Sequence, residues 1–178
     1  MFRIVVPICL VLMLAGAASA VVVTLSNETQ TTLFTATVTE QANVTVPAAV
    51  GWTVNNVSAS TASAGQSVSA TVIVLTDGNK LRIEIAPDAA DFTPAAGGST
   101  PTTWASEDVS WVGTWTNGTA NNAAMSNTLG TYVAVADMTA ANAASLSSAN
   151  LVFTLAAKAA VDRAGAHTLA ATWKFSSF

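Results

Sequence analysis

Residues 80–87 read Lys-Leu-Arg-Ile-Glu-Ile-Ala-Pro. Leu81, Ile83 and Ile85 alternate with Lys80, Arg82 and Glu84, so a strand puts all three aliphatic side chains on one face and the charges on the other. A helix would scatter the same residues around its axis. A strand that is apolar on one face must cover that face with a second layer, and this requirement governs the rest of the chain.

The alternation recurs along the sequence. Val21, Val23 and Leu25 form one set, and Phe34, Ala36 and Val38 a second. Val44 and Val46 precede a break at Pro47, after which Trp52 and Val54 resume the phase. Val68, Ala70, Val72 and Val74 share a face, and Asp77-Gly78 follows as a turn signal, since glycine adopts positive φ without strain. The expected unit is a hairpin of Val68–Thr76 with Lys80–Ala86. A loop rich in Pro, Gly and Thr spans residues 88–103, and strands are expected again over 108–116, 131–138, 150–159 and 166–175. Residues 117–127 read as a loop, and 140–148 as a helical turn or a loop. Thr and Val, both β-branched, dominate these stretches and suit a pleated surface. The fold expected is all-β, an Ig-like or jelly-roll sandwich of about eight or nine strands with at most a short helical turn.

Ahead of this pattern, Arg3 supplies a basic start, Ile4–Leu14 an apolar run, and Ala18-Ser19-Ala20 a small-residue cleavage signature. Residues 1–20 are expected to be a secretory signal peptide cut after Ala20, leaving 21–178 as one sandwich domain at the cell surface or outside it. The chain's single Cys, Cys9, lies in the apolar run, so 21–178 offers no disulfide, thiol nucleophile or thiolate metal ligand. Six Lys and Arg, Arg3 among them, face ten Asp and Glu; loss of Arg3 leaves five bases, which argues against nucleic acid as a partner. No later run is long and apolar enough to span a bilayer.

No catalytic set, cofactor motif or metal cluster is expected. The one His, His167, has no nucleophile-elbow serine to serve and falls in phase with Leu169, Ala171, Trp173 and Phe175, as a packed strand residue does. Asp88, Asp91, Glu107 and Asp108 are oxygen ligands without the regular spacing of a calcium loop. Trp104, Trp111 and Trp115 lie close in sequence and read in two ways: a sugar-stacking platform if exposed, or core if buried. Asn27, Asn43, Asn56 and Asn117 each open an Asn-X-Ser/Thr sequon.

Residues 164–175 read Ala-Gly-Ala-His-Thr-Leu-Ala-Ala-Thr-Trp-Lys-Phe, and this ending resembles that of WxL-type bacterial surface domains. Gly165 takes the place of the turn glycine, His167 that of a Tyr, Thr172 and Trp173 match, and Phe175 replaces Leu. Residues 70–93 resemble a second segment of that family, with Asp77-Gly78 at the turn, Phe92 as the trailing aromatic, and Leu81 where the family has Trp. The resemblance implies a secreted surface β-sandwich, and in that family non-covalent attachment to peptidoglycan. The composition is also similar to that of donor-strand filament subunits, in which an extended segment completes a neighbour's sheet; Val21–Val38 is the candidate donor here. The expected role is therefore a non-catalytic surface protein, a filament or matrix subunit joined by strand addition to its own kind or to other surface proteins. The alternative is a module that binds cell wall or polysaccharide through Trp residues.

Overall fold

The computed structural model describes residues 32–96 and 102–178. The expected signal peptide and the first part of the candidate donor, Val21 to Thr31, lie outside the described residues. The chain divides into two units, Met1–Thr37 and Val38–Phe178. Of the first, residues 32–37 are described; they carry no strand, and Leu33 and Phe34 are 87% and 90% exposed. The strand expected over Leu33–Glu40 is therefore absent, because an alternating stretch becomes a strand only beside a partner that takes its hydrogen bonds.

The second unit is all-β. Its strands are β1 (Gln41–Thr45), β2 (Thr61–Ala62), β3 (Gln66–Val74), β4 (Leu81–Pro87), β5 (Val109–Val112), β6 (Gly118–Ala120), β7 (Ala123–Ala124), β8 (Val133–Met138), β9 (Ser145–Leu155) and β10 (Ala171–Ser177). A single 3-10 turn, Ser106–Asp108, is the helical content among the described residues. One antiparallel sheet runs β1-β3-β9-β5-β7, with β2 also on β9; the other runs β10-β4-β8-β6. Their facing sides form one core, to which the first sheet contributes Val68, Trp111, Leu146, Leu151 and Phe153 and the second Leu81, Ile83, Ile85, Val135 and Met138. Two antiparallel sheets sharing one apolar interior make a β-sandwich, as the alternation requires.

Several local expectations are corrected. β3 and β4 are not a hairpin: β3 pairs with β1 and β9, β4 with β10 and β8. The Asp77-Gly78 turn is present, with Gly78 at φ +85° and Asn79 N–H donating to the Thr76 carbonyl at 3.0 Å, but it carries the chain from one sheet to the other. Val72 and Val74 do not join Val68 and Ala70 in the core. The register slips from Asn43↔Thr71 to Gln41↔Val74, one extra residue on β3, and Val72 at φ +50° marks the bulge. Beyond it the phase inverts, so Val72 is 65% exposed while Ile73 and Leu75 pack on the core. A second bulge at Ala149-Asn150 switches the inward set of β9 from Leu146 and Ser148 to Leu151, Phe153 and Leu155. Residues 117–127 hold two short strands rather than only a loop: β6 pairs with β8 and β7 with β5. Residues 140–148 contain a turn, with Asn142 at φ +62°, and then the start of β9; no helical turn forms there.

Candidate functional site: an open sheet edge over an apolar cleft

β10 ends its sheet. In register it runs from Ala171↔Pro87 to Ser177↔Leu81 against β4, and among the described residues no strand pairs on its other side. Lys80 and Phe178 exchange both backbone hydrogen bonds, each 3.0 Å, and Asp88 N–H donates to the Ala170 carbonyl at 3.0 Å. Hydrogen-bonded and non-hydrogen-bonded pairs alternate in an antiparallel ladder, so the even-numbered residues of β10 face β4. The N–H and C=O groups of Ala171, Trp173, Phe175 and Ser177 point the other way, as a row with no backbone partner among the described residues.

Beside this edge a cleft of about 910 Å³ opens into the space between the sheets. One wall is the irregular chain after β1, with Val50, Trp52, Val54 and Val57; the other is residues 161–171 and Trp173. Its floor is core: Ile85, Phe92, Trp104, Phe153 and Leu155. Edge-to-face aromatic contacts hold the floor and both walls together. Trp52 meets Phe92 at 6.5 Å, Phe92 meets Trp104 at 6.4 Å, and Phe153 meets Trp173 at 6.4 Å between ring centroids. Trp52 Nε1 donates to the Phe153 carbonyl at 3.2 Å, fixing the first wall to β9.

The residues singled out in the closing stretch build the second wall. Gly165 has φ +127°, and a Cβ there would lie 2.7 Å from the Ala95 Cβ, so this turn takes only glycine. His167 is half-buried: Nε2–H donates to the Arg163 carbonyl at 2.9 Å, and Nδ1 shares a hydrogen bond with the Thr103 hydroxyl at 2.8 Å. Both ring nitrogens are thereby used by neutral groups, and Trp104 covers the ring edge-on at 5.4 Å. Thr172 faces out and donates its hydroxyl to Asp88 at 2.8 Å, while Leu169, Ala171, Trp173 and Phe175 pack on the core.

The three neighbouring tryptophans do not form a platform. Trp104 and Trp111 are 4% and 1% exposed, and their Nε1 groups donate to the carbonyls of Ala156 and Asn121, both at 2.9 Å. Trp115 is half-buried against the core. Sugars cannot stack on the buried rings of Trp104 and Trp111, and Trp115 alone does not make a platform. The cleft instead uses Trp52 and Trp173, which the sequence showed only as isolated in-phase aromatics. The acidic residues do not converge either. Asp88 accepts from Thr172, whereas Asp108 pairs with Lys158 at 2.8 Å and accepts from the Ala105 N–H at 2.8 Å. No cluster of potential metal ligands occurs among the described residues.

One carboxylate fixes the lower end of the edge. Glu40 accepts from the Ser177 hydroxyl, from Thr76 N–H at 2.8 Å and from Asn79 Nδ2 at 3.0 Å. These bonds, that from Ser177 foremost, hold its pKa at about 2. No helix of the described residues is long and apolar enough to cross a membrane. Comparison with family models, curated proteins and solved structures found no match.

Proposed function

We propose that this is a secreted, non-catalytic structural protein of the cell surface, a filament or matrix subunit that assembles by β-strand addition at the β10 edge. The observation that carries the reading is the main-chain row of Ala171, Trp173, Phe175 and Ser177, which has no partner among the described residues and lies beside an apolar cleft. A strand laid along β10 gains backbone hydrogen bonds, and its alternate side chains enter the cleft. The candidate donor is Val21–Val38 of a neighbouring copy, freed by cleavage after Ala20. Within it Leu33, Phe34 and Val38 are exposed at 87%, 90% and 69%, an apolar supply without a partner in its own described surroundings. The likeness of the closing strand to WxL-type surface domains belongs to the same reading.

Electron microscopy and light scattering of the exported protein test it. Filaments or higher oligomers whose formation is lost in Phe34→Asp support strand addition; a monomer at all concentrations refutes it. N-terminal sequencing of the exported chain should begin at Val21. Binding of cell-wall glycan is the second reading, favoured by Trp52 and Trp173 in the cleft walls. Retention on peptidoglycan that disappears in both Trp52→Ala and Trp173→Ala would select it over assembly.

A further inference from the structure

We propose that Asn56 is an acceptor for an N-linked glycan in the folded protein, and that the other two described sequons are not. Asn56 lies in the irregular chain between β1 and β2, where no ladder holds the backbone, and its side chain is exposed. Its Oδ1 accepts the Ser58 N–H at 2.9 Å, and the Ala59 N–H closes the turn on the Asn56 carbonyl at 3.1 Å. The carboxamide is thus oriented through its oxygen, while Nδ2 has no partner among the described residues. Ser58, the hydroxyl residue of the sequon, is exposed as well. Val57 between them packs on the core and anchors the turn.

The competing sites lack one or more of these properties. Asn117 is held at φ +58°, and its Nδ2 donates to the Ser145 carbonyl at 3.0 Å. The nitrogen that would take the sugar is thus already engaged with the start of β9, and Gly118 next to it has the Leu146 side chain where any Cβ would sit. Asn43 is exposed but lies inside β1, paired opposite Thr71, so its sequon is fixed in a ladder and cannot bend into a transferase. A glycan is bulky and solubilising and belongs on a surface turn of an exported chain. In the transfer, Asn56 Nδ2 forms a bond to the anomeric carbon of a lipid-diphosphate-linked oligosaccharide. The bond from that carbon to the diphosphate oxygen breaks, the lipid diphosphate leaves with its electron pair, and the amide loses one proton.

The test uses a purified oligosaccharyltransferase with a lipid-diphosphate-linked oligosaccharide and the exported chain carrying Asn27→Gln, since Asn27 lies outside the described residues. The folded chain should gain one glycan, located at Asn56 by peptide mass, and Ser58→Ala or Asn56→Gln should abolish the gain. The urea-unfolded chain, diluted into the reaction, sets the full acceptor capacity and should also react at Asn43 and Asn117. Modification of the unfolded chain alone, or of the folded chain at Asn43 or Asn117 in preference to Asn56, would overturn the proposal.

Discussion

Arg82 of β4 and Asp137 of β8 stand directly opposite each other and form a two-pronged ion pair, Nε to Oδ1 at 2.7 Å and Nη2 to Oδ2 at 2.8 Å. The guanidinium also lies 4.6 Å from the centre of the Phe178 ring, so one side chain ties β4, β8 and the end of β10 together.

The hydrogen bonds from Arg82 hold the Asp137 carboxyl below its ordinary range. The folded state therefore favours the anion: the stabilisation is complete above the unfolded carboxylate pKa and is lost as pH falls through the depressed folded value. Because the arginine side chain is 37% exposed, solvent screens the pair, and Asp137→Asn should cost only about 1 kcal/mol at pH 7. Urea titrations should show the difference between wild type and variant shrinking as the pH is lowered below about 4.

Glu40 behaves in the same sense with a lower midpoint. Its folded pKa of about 2, set first by the Ser177 hydroxyl, lies below the ordinary 4.5, so its contribution fades as pH drops from 4.5 towards 2. A carbon-detected NMR titration should place the Glu40 midpoint near the lower value, and Ser177→Ala should raise it.

Val72 is a β-branched residue at φ +50° and is 65% exposed, so little packing offsets its strained backbone. Asparagine tolerates this region, and Val72→Asn should stabilise the fold by about 1 kcal/mol in chemical denaturation. Val72→Ile, with the same branching, should bring no gain.

Gly165→Ala meets two obstacles, the backbone at φ +127° and the Ala95 methyl at 2.7 Å, and should cost about 2–3 kcal/mol. Adding Ala95→Gly removes the second obstacle only. The double variant should recover part of the lost melting temperature and no more.

The alternation of Leu81, Ile83 and Ile85 made the all-β class and the inward face of β4 legible from sequence, and Trp173 and Phe175 pack on the core as their phase required. Strand partners were not legible. A period of two says which face is buried but not against which neighbour, so the turn at Gly78 read as a hairpin although it joins two sheets. The bulges at Val72 and at Ala149-Asn150 invert the phase within one strand, and neither has a composition signal. Strands as short as β6 and β7 form because β8 and β5 hold them in place, which is a cause outside their own sequence. The site was legible only in part: Trp173 could be assigned to a strand, but the cleft depends on Trp52, Phe92 and Phe153 meeting from distant parts of the chain.

In the proposed assembly, a strand of another copy fills the outer edge of β10. Amide hydrogen exchange at Trp173 and Phe175, whose N–H groups point away from β4, tests it most directly. Both amides should exchange fast in the monomer, with Lys174 and Ser176 protected by β4, and all four should be strongly protected after assembly. Protection of Trp173 and Phe175 in the isolated monomer, or their continued fast exchange in the assembled material, would contradict it.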